Sequence, residues 1–105
     1  MAQLSTLGII AFMFLFAKVE DVFEVSGKGC AVIHTPPARL PDGASITGRD
    51  YFVFRRLDGS SLRTDYTGIE FYERPGKGSA AAIMLPSRFT VRDIPIGAEI
   101  WVEKA

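Results

Sequence analysis

Few side chains in this sequence suggest chemistry, and the most prominent of them lie in or near one glycine-rich turn. Lys28 sits in the tetrapeptide Ser-Gly-Lys-Gly at 26–29, where its ammonium group could contact a phosphate. His34 is the single histidine, and an imidazole can exchange a proton near neutral pH. No paired carboxylate or serine nucleophile lies near His34, so a structural role at a strand end is favoured over acid–base catalysis. A solvated hairpin tip is likewise the favoured interpretation of Lys28.

A phosphate-binding loop of the NTPase type is excluded by the same residues. Such a loop needs Gly-x-x-x-x-Gly-Lys-Ser/Thr between a strand and a helix. The nearest strings, at 27–30 and 76–79, both place glycine directly after the lysine, where serine or threonine must hold magnesium. We therefore expect no GTP hydrolysis. The chain also has no nucleophile–base pair, metal cluster or cofactor motif, so we expect no enzymatic activity and no cofactor.

The composition is that of a neutral single domain with ample material for a core. The chain has 105 residues, of which 48% are hydrophobic, and its 12 basic and 12 acidic residues cancel. This balance argues against a general nucleic-acid or membrane-surface binder but permits a small basic patch. The single cysteine, Cys30, rules out an intrachain disulfide and a cysteine-based metal site. Its position within a predicted strand indicates a small buried apolar residue.

Arginines and aromatic rings are numerous enough to form a binding face. The candidate cations are Arg55, Arg56, Arg63, Arg74, Lys77 and Arg88, and the candidate stacking rings are Tyr51, Tyr66, Tyr72 and Trp101. Such rings can stack on nucleobases. Because neighbours on a strand point to opposite faces, Arg55 and Arg56 cannot both belong to one face. A mixed solvated surface, with the rings in the core and at its rim, is the favoured interpretation.

Residues 1–17 form an apolar N-terminal segment with more than one interpretation. The run 7–17 is entirely apolar but is much shorter than the ~20 residues of a membrane-spanning helix. The length suits a signal peptide, yet residues 1–6 contain no lysine or arginine, and Leu15 stands where a cleavage site prefers a small residue. We expect a buried first strand over 12–16. A signal peptide and a translation start at Met13 are the alternatives.

Short apolar runs separated by turn signals predict an all-β domain over 18–105. The first hairpin is expected over 19–34, and further strands over 50–56, within 61–74, over 80–85 and over 99–103. The turns between them contain glycine, proline or Asp-Gly. Closing such a sheet would remove its exposed edges. We therefore expect a small closed antiparallel β-barrel of six or seven strands.

Four segments occur in the order and spacing of a known pattern. They are 19–33 (VEDVFEVSGKGCAVI), 48–54 (GRDYFVF), 67–72 (TGIEFY) and 92–100 (RDIPIGAEI). Together they resemble the second domain of elongation factor Tu and related translational GTPases, over roughly 19–102. The resemblance implies a closed barrel of the translation-protein type that stands alone, without the GTPase module.

In that family a pocket beside the first hairpin receives the aminoacylated terminal adenosine of tRNA. The resemblance places the matching pocket here at Phe23, Val25, Gly27, Lys28, Val32, His34 and Glu70. His34 replaces the family's threonine, Thr35 its glycine, and Glu73 a pocket arginine. Losing a cation and gaining an anion should weaken contact with RNA. We therefore expect the fold to be retained better than the tRNA site.

The expected function is that of a cytoplasmic, non-enzymatic binding module. Its expected partner is RNA of the translation apparatus or a protein, with neither GTP nor a membrane involved. The alternative is a protein-interaction module, such as an inhibitor, immunity or mimic protein, that uses the loop 36–43. Prolines at Pro36, Pro37 and Pro41 stiffen this loop, and stiffness lowers the entropic cost of binding.

Overall fold

The computed structural model describes residues 2–4, 10–35, 45–76 and 78–105, which form an antiparallel β-sheet. The strands are β1 (Ala2–Leu4), β2 (Ile10–Val25), β3 (Gly29–His34), β4 (Tyr51–Arg55), β5 (Ser61–Thr64), β6 (Gly68–Arg74), β7 (Gly78–Leu85) and β8 (Glu99–Glu103). A short 3-10 helix, Val91–Asp93, precedes β8. The all-β prediction is confirmed. Within the described ranges, no helix has the length and apolar character needed to cross a membrane.

The sheet is organised on β2, which has 16 residues. The first part of β2 pairs with β8, from Met13 opposite Glu103 onwards, and the last part pairs with β3, ending with Val25 opposite Gly29. The strand order is β5-β4-β8-β2-β3-β7-β6, and β1 pairs with the start of β2. Register shifts at 15/17 and 19/21 mark the change of partner, as β-bulges that bend a strand do. One strand therefore joins the two halves of the sheet.

The predicted closure into a barrel is wrong, because the sheet is open. In the part of the chain that the structure describes, β5 and β6 end the strand order and no ladder joins them. The prediction rested on the cost of exposed edges, but an edge as short as the four residues of β5 exposes few unpaired backbone groups. Residues 65–67 connect β5 to β6 along the chain, and the Thr67 N–H donates to the Met84 carbonyl of β7 at 2.8 Å.

The two halves of the sheet share one hydrophobic core. The strand residues of this core that are 0% exposed are Val32, Phe52, Phe54, Ile83, Leu85, Ile100 and Val102. They alternate along their strands with residues of the outer face, as the two-residue period of a strand requires. Cys30 is 1% exposed within this core, so its predicted burial is confirmed. Burial, and then the nearby Asp93 and Glu24 carboxylates, raise the pKa of its thiol.

The local predictions hold for the individual strands. The hairpin expected over 19–34 is present, and its turn contains positive φ at Gly27 (76°) and Gly29 (108°). The strands expected over 50–56, 80–85 and 99–103 correspond to β4, β7 and β8, and the 61–74 region contains β5 and β6. The loop 36–43 lies outside the described residues.

A buried carboxylate ties the C-terminal residues to the start of β4. Asp50 is 3% exposed. Its Oδ2 accepts hydrogen bonds from Lys104 Nζ at 2.6 Å and from the Thr47 N–H at 2.8 Å, and its Oδ1 accepts one from the Ala105 N–H at 3.1 Å. Burial by itself raises the pKa of a carboxyl group, but these hydrogen bonds outweigh it and hold the pKa of Asp50 below its usual range.

We expect Asp50→Asn to lower the free energy of unfolding by about 2 kcal/mol near pH 7, because it removes charge-assisted hydrogen bonds from a buried site. A depressed pKa means that the ionised Asp50 stabilises the fold above its unfolded pKa of about 4, and that this contribution is lost as the pH falls through the folded value. The gap in stability between the wild type and the variant should therefore narrow below about pH 4.

Urea unfolding of the wild type and the variant from neutral to acid pH measures this gap. Glu70→Gln, at an exposed carboxylate on β6, is the matched control and should change the stability little at neutral pH. A gap for Asp50→Asn that stays constant down to about pH 3 would contradict the proposed role of the ionised carboxylate.

Candidate functional site

The residues that the resemblance assigns to a pocket do not share one face of the sheet. Directly opposed residues of an antiparallel pair point to the same face, and successive residues alternate. Phe23 opposes Ala31, whereas Val32 opposes Val22, so Phe23 and Val32 point to opposite faces. Glu70 lies on the Phe23 face, because it opposes Ala82 on β7, which in turn opposes Ile33 on β3.

Val32 and His34 point inward. Val32 is 0% exposed in the main core. The His34 ring lies with its centroid 5.0 Å from that of Phe16 in an edge-on contact, and its Nδ1 is 2.7 Å from the Thr35 carbonyl oxygen. A carbonyl only accepts hydrogen bonds, so Nδ1 carries the proton. These contacts suit a structural role at the end of β3.

Phe23 and Glu70 lie on the outer face of the sheet. Phe23 is 40% exposed, and Glu70 is exposed on β6. Between their strands lies a small buried apolar cluster of Ala31, Ile33, Ala82 and Met84. Neither Phe23 nor Glu70 is among the residues that line the groove beside the hairpin turn.

Val25, Gly27 and Lys28 do come together, in a groove beside the hairpin turn. Its cavity volume is about 640 Å³. The hairpin supplies one wall, and the segment after β7 supplies the other with Ser87, Phe89, Thr90, Val91 and Arg92. We call this cavity the hairpin-tip groove.

Backbone contacts set the shape of the hairpin-tip groove. The Lys28 N–H donates to the Val25 carbonyl at 2.9 Å and closes the turn. Gly29 lies directly against the chain after β7: a Cβ at this position would overlap the Leu85 carbonyl oxygen and lie 2.9 Å from the Pro86 carbonyl carbon. The opposite wall is held by the Thr90 N–H, which donates to Asp93 Oδ2 at 2.8 Å. Both walls are therefore fixed by local structure.

The hairpin-tip groove contains two exposed cations, beside the carboxylates of Glu24 and the nearby Asp93. Lys28 and Arg92 line it, with Glu24 as the carboxylate among its lining residues. Both cations are exposed, and neither forms an ion pair with another described residue. Phe89 adds a half-buried aromatic ring, over which the Arg88 guanidinium lies 4.7 Å from the centroid. The groove thus combines unpaired positive charge with an aromatic wall.

Phe89 and Arg92 were not among the residues predicted for the site. In the sequence, residues 92–97 belong to the closing segment of the family pattern. This segment predicts a turn, and nothing in it indicates contact with the first hairpin. Their position beside Lys28 follows from the ladder that places Cys30 opposite Leu85, which brings the chain after β7 to the hairpin turn. The two paired residues are separated by more than half of the chain, so no local sequence pattern predicts their contact.

No protein-family model, curated protein or solved structure matches this chain. The likeness to the second domain of elongation factor Tu therefore rests on the four sequence segments alone. The pocket residues assigned through it stay a prediction.

Proposed function

We propose that this chain is a cytoplasmic, non-enzymatic binding domain, similar to the second domain of a translation factor, that binds RNA of the translation apparatus in its hairpin-tip groove. The observation that carries the proposal is the convergence of Val25, Gly27 and Lys28 with Arg92 and Phe89 around one cavity. Three of these residues come from the family resemblance, and the other two add a second cation and an aromatic ring.

Size and charge favour an unpaired RNA segment over a duplex. A cavity of about 640 Å³ lies within the range of small-ligand pockets and can hold a nucleotide, whereas a helical duplex needs an extended surface. Lys28 and Arg92 supply charge for phosphate, and a splayed base can pack against the half-buried Phe89 ring and the Arg88 guanidinium that lies over it. Because the whole chain is neutral, the contribution of these cations should be local.

The test is a filter-binding titration against total tRNA and ribosomal RNA at several salt concentrations. We expect Lys28→Ala and Arg92→Ala each to weaken binding about threefold to tenfold and to reduce the slope of log K against log salt by about one. Lys18→Ala, at an exposed cation outside the groove, is the matched control and should leave both quantities unchanged.

The proposal fails if RNA affinity is no better than that of an unrelated neutral protein, or if Lys28→Ala and Arg92→Ala bind as well as the wild type. Affinity capture with and without the loop 36–43 addresses the protein-interaction alternative. Capture of a protein partner that requires this loop, without measurable RNA binding, would favour that alternative.

A further inference from the structure

A second cavity lies on the outer face of the other half of the sheet. Its volume is about 310 Å³, and its lining residues are Met13, Val53, Arg55, Ser61, Arg63, Trp101 and Glu103. We call it the Trp101 slot. It shares no lining residue with the hairpin-tip groove, so the two cavities are separate.

The Trp101 slot has two planar walls over an apolar floor. Val53 on β4 is directly opposite Trp101 on β8 and directly opposite Arg63 on β5, so the three side chains form a row with Val53 in the middle. Strands lie about 4.8 Å apart, which places the backbones of the two outer residues about 10 Å apart. A flat ring stacked between two planar groups needs about 7 Å, or two contacts of about 3.5 Å. Backbones this far apart leave room for one planar ring between the two outer side chains.

Both walls are held in place by neighbouring side chains. The Arg63 guanidinium lies 3.7 Å from the centroid of the Tyr51 ring, and its Nε and Nη2 lie 2.9 Å and 2.7 Å from Glu103 Oε2. The Trp101 indole N–H donates to Glu99 Oε1 at 3.2 Å. Side chains that are ordered before binding lose less conformational entropy when a ligand arrives.

One cation of the Trp101 slot is not in an ion pair. Glu103 neutralises Arg63, whereas Arg55 lies directly opposite Glu99 on β8 but forms no ion pair with any described residue. The Arg55 guanidinium lies exposed, 5.7 Å from the centroid of the Trp101 ring. Both contacts from Arg63 end on Oε2 of Glu103, so Oε1 can accept a hydrogen bond from an amino or ring N–H of a base.

We propose that the Trp101 slot binds a nucleotide, with the base between Trp101 and Arg63 and the phosphate toward Arg55. A planar ring with an N–H donor matches the walls and Glu103, and a negative charge matches Arg55. An acidic peptide could pair with Arg55, but its carboxylates would not place a planar ring between Trp101 and Arg63. A free nucleotide and a nucleotide within a single strand present the same chemistry.

Trp101 is the single tryptophan of the chain, so its fluorescence reports on this site directly. We expect AMP and GMP to quench it saturably, adenosine to bind more weakly, and ribose 5-phosphate, which lacks an aromatic base, to leave it unchanged. Arg55→Gln should weaken AMP about fivefold and leave adenosine unaffected. Arg49→Gln, at an exposed arginine outside the slot, is the matched control.

A short oligoadenylate titrated in parallel distinguishes the two sources of the ligand. Tighter binding of the oligonucleotide than of AMP identifies an RNA strand, and tighter binding of AMP identifies a free nucleotide. Absence of saturable quenching by either ligand overturns the proposal, as does equal AMP affinity in Arg55→Gln. The proposal would also be overturned if polyglutamate displaced AMP and bound with the same affinity as the oligonucleotide. Lys28→Ala should not change these titrations, so failure here is distinguishable from failure of RNA binding in the hairpin-tip groove.

Discussion

Gly29→Ala is expected to lower the free energy of unfolding by at least about 3 kcal/mol. Two independent costs act at this position. The backbone of Gly29 has φ of 108°, which residues with a side chain rarely adopt. The added Cβ would also overlap the Leu85 carbonyl oxygen, and that oxygen belongs to backbone that cannot rotate away as a flexible side chain could. Relief requires the chain after β7 to move away from the hairpin.

Gly27→Ala is the matched control for this prediction. Gly27 also has a positive φ, 76°, but nothing lies within 4 Å of its Cβ position, so only the conformational cost of about 1 kcal/mol applies. Urea denaturation followed by circular dichroism measures both variants. Equal losses of stability in the two variants would show that the close approach of Gly29 to the Leu85 carbonyl does not contribute to the effect of Gly29→Ala. Because the same contact positions the two walls of the hairpin-tip groove, folded Gly29→Ala protein should also bind RNA more weakly than Gly27→Ala.

Phe52→Ala is expected to lower the free energy of unfolding by about 4 kcal/mol. Phe52 is 0% exposed, and its ring centroid lies 6.0 Å from that of Phe16 on β2 and 4.8 Å from that of Tyr66. The truncation would leave a cavity between β2, β4 and the bend at 65–67. Since small domains are stable by only about 5–15 kcal/mol, this loss is a large part of the total.

Phe12→Ala is the control for Phe52→Ala, because Phe12 is 38% exposed and its loss should cost about 1 kcal/mol or less. Denaturant midpoints and near-ultraviolet circular dichroism compare the two variants. A stability for Phe52→Ala within about 1 kcal/mol of the wild type would contradict the shared core, because the two halves of the sheet would then not depend on this contact.

Local sequence signals predict the strands well. The hairpin 19–34 follows from apolar runs around Ser-Gly-Lys-Gly, and Glu99–Glu103 follows from alternation of polar and apolar residues. Each of these signals depends on a few adjacent residues. Closure of the sheet was predicted wrongly, because closure depends on whether β5 and β6 meet, and no local pattern in either strand reports that.

Only part of the hairpin-tip groove was among the residues assigned from the sequence, for a related reason. Gly27 and Lys28 belong to a turn that the sequence shows directly, and the structure places them with Val25 in the hairpin-tip groove. Val32 and Phe23 are on opposite faces because the side chains of a strand alternate with a period of two. Their faces follow from the residue numbers only when the register of the hairpin is also known. Arg92 lies in the groove because of a strand pairing between residues that are far apart in the sequence.

The residue types and their spacing thus determine the all-β class, the turns and the alternation of inward and outward residues, because these properties depend on backbone sterics over a few residues. The tertiary structure alone decides that β2 joins both halves, that the sheet stays open, and which distant side chains line each cavity. The physical reason is that strand partners far apart in the chain are selected by the packing of the common core. The glycine-rich turn is a local feature, whereas its groove and the Trp101 slot are products of that packing.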